Sequence, residues 1–236
     1  GLETIEVEAA IADALDARAA LGRGEDGSLR GSGALRLVSA QSLLGLLRPD
    51  SGVPLTGTGE ASFDIEWDDE PLPRITGVLH RLDLKLAEQP VELIAPARFT
   101  LSDEGFAATG LQLRALEDTL FVRWAIAADG GLRGNVSGTM DALVLRFLMP
   151  DWEPAGRATG VVEILGTTAA PLFEGIAEIG RASFRLPGTR TILSQVQGTV
   201  LLSSGEIELE GVDFRLMGGR GRCRGGILER GGCIVL

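Results

Sequence analysis

Apolar and polar residues alternate with a period of two along most of this 236-residue chain. "ASFDIEW" sets Phe63, Ile65 and Trp67 on one face and Asp64 and Glu66 on the other, the pattern of a half-buried strand. The same alternation recurs in Leu82, Leu84 and Leu86, in Leu111 and Leu113, and in Leu120, Val122, Trp124 and Ile126. It returns in Ile207 and Leu209 and in Val212, Phe214 and Leu216. Between these runs stand "DEPLP", "SDEG", "AADGG" and "SSGE", whose Gly, Pro, Asp and Ser suit the tight turns of an antiparallel meander. "TIEVEA" from Thr4 to Ala9 and "CIVL" at the end also read as strands.

Two stretches leave that rhythm. "SAQSLLGLLRP" at 39–49 and "MDALVLRFLMP" at 140–150 crowd apolar residues into one or two turns that stop at Pro49 and Pro150, which predicts two short helices. Ser39 and Asp141 stand where N-caps belong. A continuous strand is the alternative for the second stretch.

The two stretches sit at matching places in an internal repeat. "SLRGSGALRLVSAQSLLGLLRPD" begins at Ser28, and "GLRGNVSGTMDALVLRFLMPD" begins at Gly131. Pro49 falls on Pro150, Gly59 on Gly160, Leu101 on Leu202, Phe106 on Ile207, Gly110 on Gly211 and Leu113 on Phe214, each 101 residues on. Gly77 falls on Gly175, 98 residues on. The reading is mainly β, an elongated and strongly curled antiparallel sheet with two short helices, built from two tandem repeats of about 100 residues that stack edge to edge. Residues 1–26 are read as the end of a preceding repeat, 27–129 as repeat 1 and 130–236 as repeat 2. The chain opens at Gly1 with no targeting pattern, so it is taken as a piece of something longer.

Composition narrows the function. A formal charge of −11 disfavours nucleic acid as a partner. No run approaches the roughly 18 uninterrupted apolar residues of a membrane helix. Cys223 and Cys233 are too few for a metal site and are read as two small, partly buried thiols, with a disulfide between them left open.

Enzymatic readings find little to stand on. His80 is the single histidine, and no nucleophile is marked for it. Ser137 in "GNVSG" lacks the spacing of a nucleophile elbow. Asp68, Asp69 and Glu70 lack the alternating ligands of a calcium loop and read as solvated turn charge. "GGRGRCRGG" has no Lys-Ser/Thr and no following helix, so it is no phosphate loop. Its Arg220, Arg222 and Arg224 share one strand face, either exposed or reaching lipid headgroups at a rim. No catalytic residue and no metal ligand is expected.

From Gly134 to Gly226 the order of elements resembles the bacterial TamB and AsmA-like proteins, which share a repeating β-groove. A helical turn ends in Pro150, a strand follows, and then "G-T-x-x-x-P-x-x-x-G" at Gly166, Thr167, Pro171 and Gly175. Gly198, Gly205 with Ile207 and Leu209, and the pair Gly218-Gly219 complete it. The first copy, with "EWDDEPLPRITG" in place of the G-T motif, resembles the family through the repeat alone. The resemblance implies a periplasmic segment of a protein anchored in the inner membrane and reaching toward the outer one. It also implies phospholipid as cargo, an outer-membrane barrel protein as partner of other parts of the full chain, and a monomeric fragment.

The residue pattern meets this implication at one point. A curled sheet that is apolar inside need not fill itself with side chains, because an acyl chain can complete the burial at about 0.8 kcal/mol per CH₂. The inward row would then be Phe63, Ile65, Trp67, Leu84, Val122, Trp124, Ile164, Phe184, Ile207, Leu209 and Phe214. No cofactor is expected beyond a bound lipid or detergent acyl chain. Two alternatives stay open. The same alternation builds a sandwich whose inward row packs on a second sheet. The segment could also be a structural or chaperone spacer that aids outer-membrane β-barrel assembly by strand addition.

Overall fold

A computed structural model describes residues 4–11, 13–47, 54–68, 71–86, 89–115, 117–141, 153–167, 170–186, 188–203, 206–230 and 233–235. Its described residues are mainly strand, paired antiparallel, with almost no helix. They fall into two compact units, residues 1–116 with 122–131, and residues 117–121 with 132–236.

The first unit opens with three strands, β1 (Thr4–Ile11), β2 (Leu15–Arg23) and β3 (Leu29–Leu37). A helix, α1 (Ala40–Leu47), leads into β4 (Leu55–Trp67) and β5 (Arg74–Leu86). Then come β6 (Gln89–Ala95), β7 (Ala97–Ser102) and β8 (Gly105–Ala115). Strands β1 to β5 pair in chain order. Beyond them β5 forks: Ile75 to Leu79 pair with β7, while Asp83 to Leu86 pair with β6. Both β6 and β7 pair with β8. Pro96, which has no N–H for a ladder, stands at the break between them.

β9 (Asp118–Ala127) contributes to both units. The second unit continues with β10 (Leu132–Asp141), β11 (Ala155–Gly166) and β12 (Pro171–Arg185). It ends with β13 (Ile192–Ser203), β14 (Glu206–Leu216), β15 (Gly219–Arg230) and β16 (Cys233–Val235). From β10 on, neighbours in the chain are neighbours in the sheet.

Local chemistry places the breaks. Ser39 caps α1, its Oγ accepting from the Ser42 amide at 3.1 Å, and Gln41 Oε1 accepts from the Leu55 amide at 2.8 Å to tie helix to strand. At the turn into β3, Asp26 Oδ1 accepts from the Ser28 amide at 3.1 Å and from its hydroxyl at 2.6 Å. The turn before β10 repeats the device with Asp129 and the Gly131 amide at 2.8 Å.

The predicted second helix lies outside the described residues beyond position 141. Met140 and Asp141, where it was expected to start, are the last residues of β10 and pair with Ala158 and Arg157. Cys233 lies in β16. Within β5, Ala61 pairs with Leu79 and Glu60 with Arg81, so His80 is the extra residue of a β-bulge. It meets the outward Ser62, with Nε2 and Oγ 2.7 Å apart.

Burial shows how each sheet is covered. Among the described residues the buried apolar side chains are eight alanines together with Leu120, Pro154, Val196, Val200 and Val212. The large apolar side chains of the inward rows are not among them. In a closed sandwich core, Phe, Ile and Leu would be the side chains most fully removed from water.

Candidate functional site

The candidate site is the apolar face of each unit. In the first, the ladder fixes a row across five strands, with Gly33 opposite Phe63, Phe63 opposite Gly77, Gly77 opposite Phe99 and Phe99 opposite Ala108. Each phenylalanine lies over a glycine. A Cβ at Gly77 would come within 2.2 Å of the Phe99 ring, and one at Gly33 within 2.5 Å of the Phe63 ring. The row continues in contacts between aromatic rings. Phe99 stacks on Phe106 with centroids 6.4 Å apart, and Phe106 meets Trp124 edge-on at 5.5 Å.

The structure places Phe63, Ile65, Trp67, Leu84, Val122 and Trp124 on this face of the first unit. Phe63, Ile65, Leu84 and Val122 are half-buried, while Trp67 keeps 40% and Trp124 37% of its surface exposed. The opposite face carries Glu60, Ser62, Asp64 and Glu66 on β4.

In the second unit Ile164, Phe184, Ile207, Leu209 and Phe214 likewise share one face and are half-buried. Ile164 pairs with Phe173, Phe184 with Leu193, and Leu209 with Val200. Phe184, Leu209 and Phe214 pack with Ile179 and Leu193 around the buried trio Ala182, Val196 and Val212. Phe214 lies over Gly221, where a Cβ would come within 2.5 Å of its ring. Cys223 is a free, half-buried thiol opposite Val212.

Alternation alone does not reveal the glycine partners of the phenylalanines, because each pair joins residues 14 to 30 positions apart and depends on register. Phe99, Phe106 and Phe173 belong to these faces and were missing from the expected row. Their signal was available: Phe106 lies 101 residues before Ile207, and Phe99 stands two before Leu101 in an alternating run.

Acid–base and metal chemistry find no built arrangement here. Ser62 and His80 form a hydroxyl–imidazole pair on the exposed polar face, and among the described residues His80 has no other hydrogen bond to orient it. Ser137 lies within β10, in the middle of a ladder opposite Val161. Asp26, Gly27, Ser28 and Asp68 line a partly open cavity of about 220 Å³. Ser28 holds the Asp26 carboxyl below the usual carboxylate range, first through its hydroxyl and then through its amide. Asp69 and Glu70 lie outside the described residues, and among those described no three His, Cys, Asp or Glu side chains are grouped to hold a metal. Arg220, Arg222 and Arg224 are exposed on the outward face of β15. Arg222 pairs with Asp213 at 3.6 Å.

The class this fold defines is a mainly β protein built on a large antiparallel sheet, some of whose large apolar side chains are partly exposed. Compared with known proteins, the chain matches no family model, no curated protein and no solved structure. No helix among the described residues is long and apolar enough to cross a membrane.

Proposed function

We propose that this chain is a segment of a TamB- or AsmA-like β-groove protein, and that its apolar faces carry phospholipid acyl chains between the inner and outer membranes through the periplasm. One observation carries the reading: the large apolar side chains of both faces, Phe63, Phe99, Phe106 and Trp124 in one unit and Ile164, Phe184, Ile207 and Phe214 in the other, stay partly exposed. A flexible chain laid along them removes more apolar surface from water, at roughly 25 cal/mol per Å². It needs no polar partner there, and none is offered.

The element order supports two repeats. β8 and β14 begin and end 101 residues apart, at Gly105 and Glu206 and at Ala115 and Leu216. β3 and β10, β4 and β11, and β5 and β12 follow in the same succession.

Native mass spectrometry of the purified chain, with photocrosslinking residues in place of Trp124 and Phe214, tests the cargo. Phospholipid should be retained and should crosslink from these two sites but not from the outward Arg123 and Glu208. Protein free of lipid, crosslinked only to polypeptide, would overturn the reading.

That result would favour the spacer reading, for which β1 is the relevant element. Among the described residues it pairs on one edge only, with β2, and Ile5, Val7 and Ile11 are exposed without a proline or lysine to guard them. An added strand could extend the sheet there.

A further inference from the structure

The outward face of the second unit is divided by charge. Glu163, Glu178, Glu206, Glu208 and Glu210 lie toward one end of its strands. Arg181, Arg185, Arg215, Arg220 and Arg222 lie toward the other.

At the basic end the register brings two hairpin tips side by side. Arg185 pairs with Ile192 across the 186–191 turn, Leu193 pairs with Leu216, and Leu216 pairs with Gly219 across the turn Met217-Gly218. Arg190 is exposed on the first tip. Glu153 engages Arg185 at 3.0 Å and Asp213 engages Arg222. Arg181, Arg190, Arg215 and Arg220 make no ion pair among the described residues. Arg215 and Arg220 stand directly opposite each other in the ladder, a like-charge pair that costs stability unless an anion lies between or above them.

The second tip is built against local preference. Met217 and Gly218 have φ of +49° and +85°, the two left-handed positions of a tight hairpin turn that Asn-Gly or Asp-Gly would fill at least cost. A methionine there is strained, and it holds its apolar side chain 89% exposed beyond the ends of the strands.

We infer that this tip docks on an anionic lipid bilayer, with Met217 entering the headgroup boundary and Arg190, Arg215 and Arg220 contacting lipid phosphates around it. A chain with a net charge of −11 is repelled by such a surface except where a basic patch faces it. Here the acidic ends of the same strands lie away from the tip. The site is separate from the apolar faces of the sheets, and nothing in its argument depends on their carrying lipid.

Flotation with phosphatidylcholine vesicles containing phosphatidylglycerol, against vesicles of phosphatidylcholine alone, tests it. The chain should float with the anionic vesicles, and added salt should weaken the association. R215E/R220E should weaken it at least about thirtyfold. Met217→Asn suits the turn better than methionine, so its loss of binding would not be a folding defect, and Met217→Leu should bind as before. Arg36→Glu, on the outward face of β3, should leave binding unchanged. Equal flotation with both vesicles, no flotation at all, or R215E/R220E and Met217→Asn behaving like the unaltered chain would each overturn the docking. Lipid retention in native mass spectrometry is read separately: a lipid-loaded chain that ignores vesicles overturns the tip and spares the acyl-chain reading, and a lipid-free chain that floats does the reverse.

Discussion

The two units solve the same packing problem with different side chains. In the first, aromatic rings lie over glycine and alanine: Phe63 over Gly33, Phe99 over Gly77, and Phe106 against Trp124. In the second, Val196, Val212 and Ala182 form a buried cluster beneath the aliphatic Ile179, Leu193 and Leu209 together with Phe184 and Phe214, the last of which lies over Gly221. The strand breaks differ too. Pro96 splits β6 from β7, whereas β13 runs on through Gln195, which takes a φ of +50° where the register with β14 shifts. A missing donor and a left-handed residue both let a strand bend away from its partner. What the units share is therefore the position of the bend and the apolar face, not the residues that make them.

Glycine gives the sharpest way to break the comparison. Gly77 and Gly175 hold equivalent places in the proposed repeat, yet Gly175 has a φ of +154° and a Cβ there would meet the Val161 carbonyl oxygen at 2.2 Å. Backbone cannot move aside as a ring can. Gly175→Ala should cost about 3 to 4 kcal/mol. At Gly77 the first obstacle is the Phe99 ring on a partly open face, with the Ser62 carbonyl oxygen next at 2.7 Å, so Gly77→Ala should cost about 2 kcal/mol. Chemical denaturation, with hydrogen exchange to assign the loss to β11–β12 or to β5–β7, checks both. Equal costs would mean that the two faces are equally rigid.

Truncation sharpens the same contrast. Val196→Ala empties space inside a buried cluster and should cost about 2 kcal/mol. Phe99→Ala removes a larger side chain, but from a partly exposed face that leaves no enclosed cavity, and should cost only about 1 to 2 kcal/mol. A loss of about 4 kcal/mol at Phe99 would show that its ring is covered in solution. Arg157→Ala tests the ion pair at 3.3 Å with Asp118, which is 8% exposed; a carboxylate left there without its cation should cost about 1 to 2 kcal/mol.

Much of this was legible in the order of residues, and the remainder was not for identifiable reasons. Alternation places Phe63, Ile65 and Trp67 together, and Ser39 marks the start of α1, because period and capping are local. The bulge at His80 is invisible to alternation, since one extra residue on β5 is defined only against β4. The Ser62–His80 pair and the Phe–Gly rows likewise exist only once register is set. Nor does alternation tell a filled sandwich from an open face, because both need the same inward row.

The smallest expected effect compares two turns of similar sequence. "EDGSLRG" and "ADGGLRG" both use an aspartate to accept the amide two residues on, but Asp26 also accepts the Ser28 hydroxyl, while Asp129 meets a glycine there. That hydroxyl, the Ser28 amide and the Arg30 charge hold the Asp26 carboxyl below its ordinary value. A carboxyl lowered by folding contributes stability above its unfolded pKa, and the contribution fades as pH falls through the folded value. Ser28→Gly makes the first turn like the second. It should raise the Asp26 titration midpoint toward the usual carboxylate range and remove part of the stability that the lowered carboxyl contributes above its unfolded pKa, a small deficit present at neutrality that disappears as pH falls through the folded value. Carboxyl NMR across the titration reads this directly. An unmoved midpoint would assign the lowering to the Ser28 amide and Arg30 rather than to the hydroxyl that distinguishes the two turns.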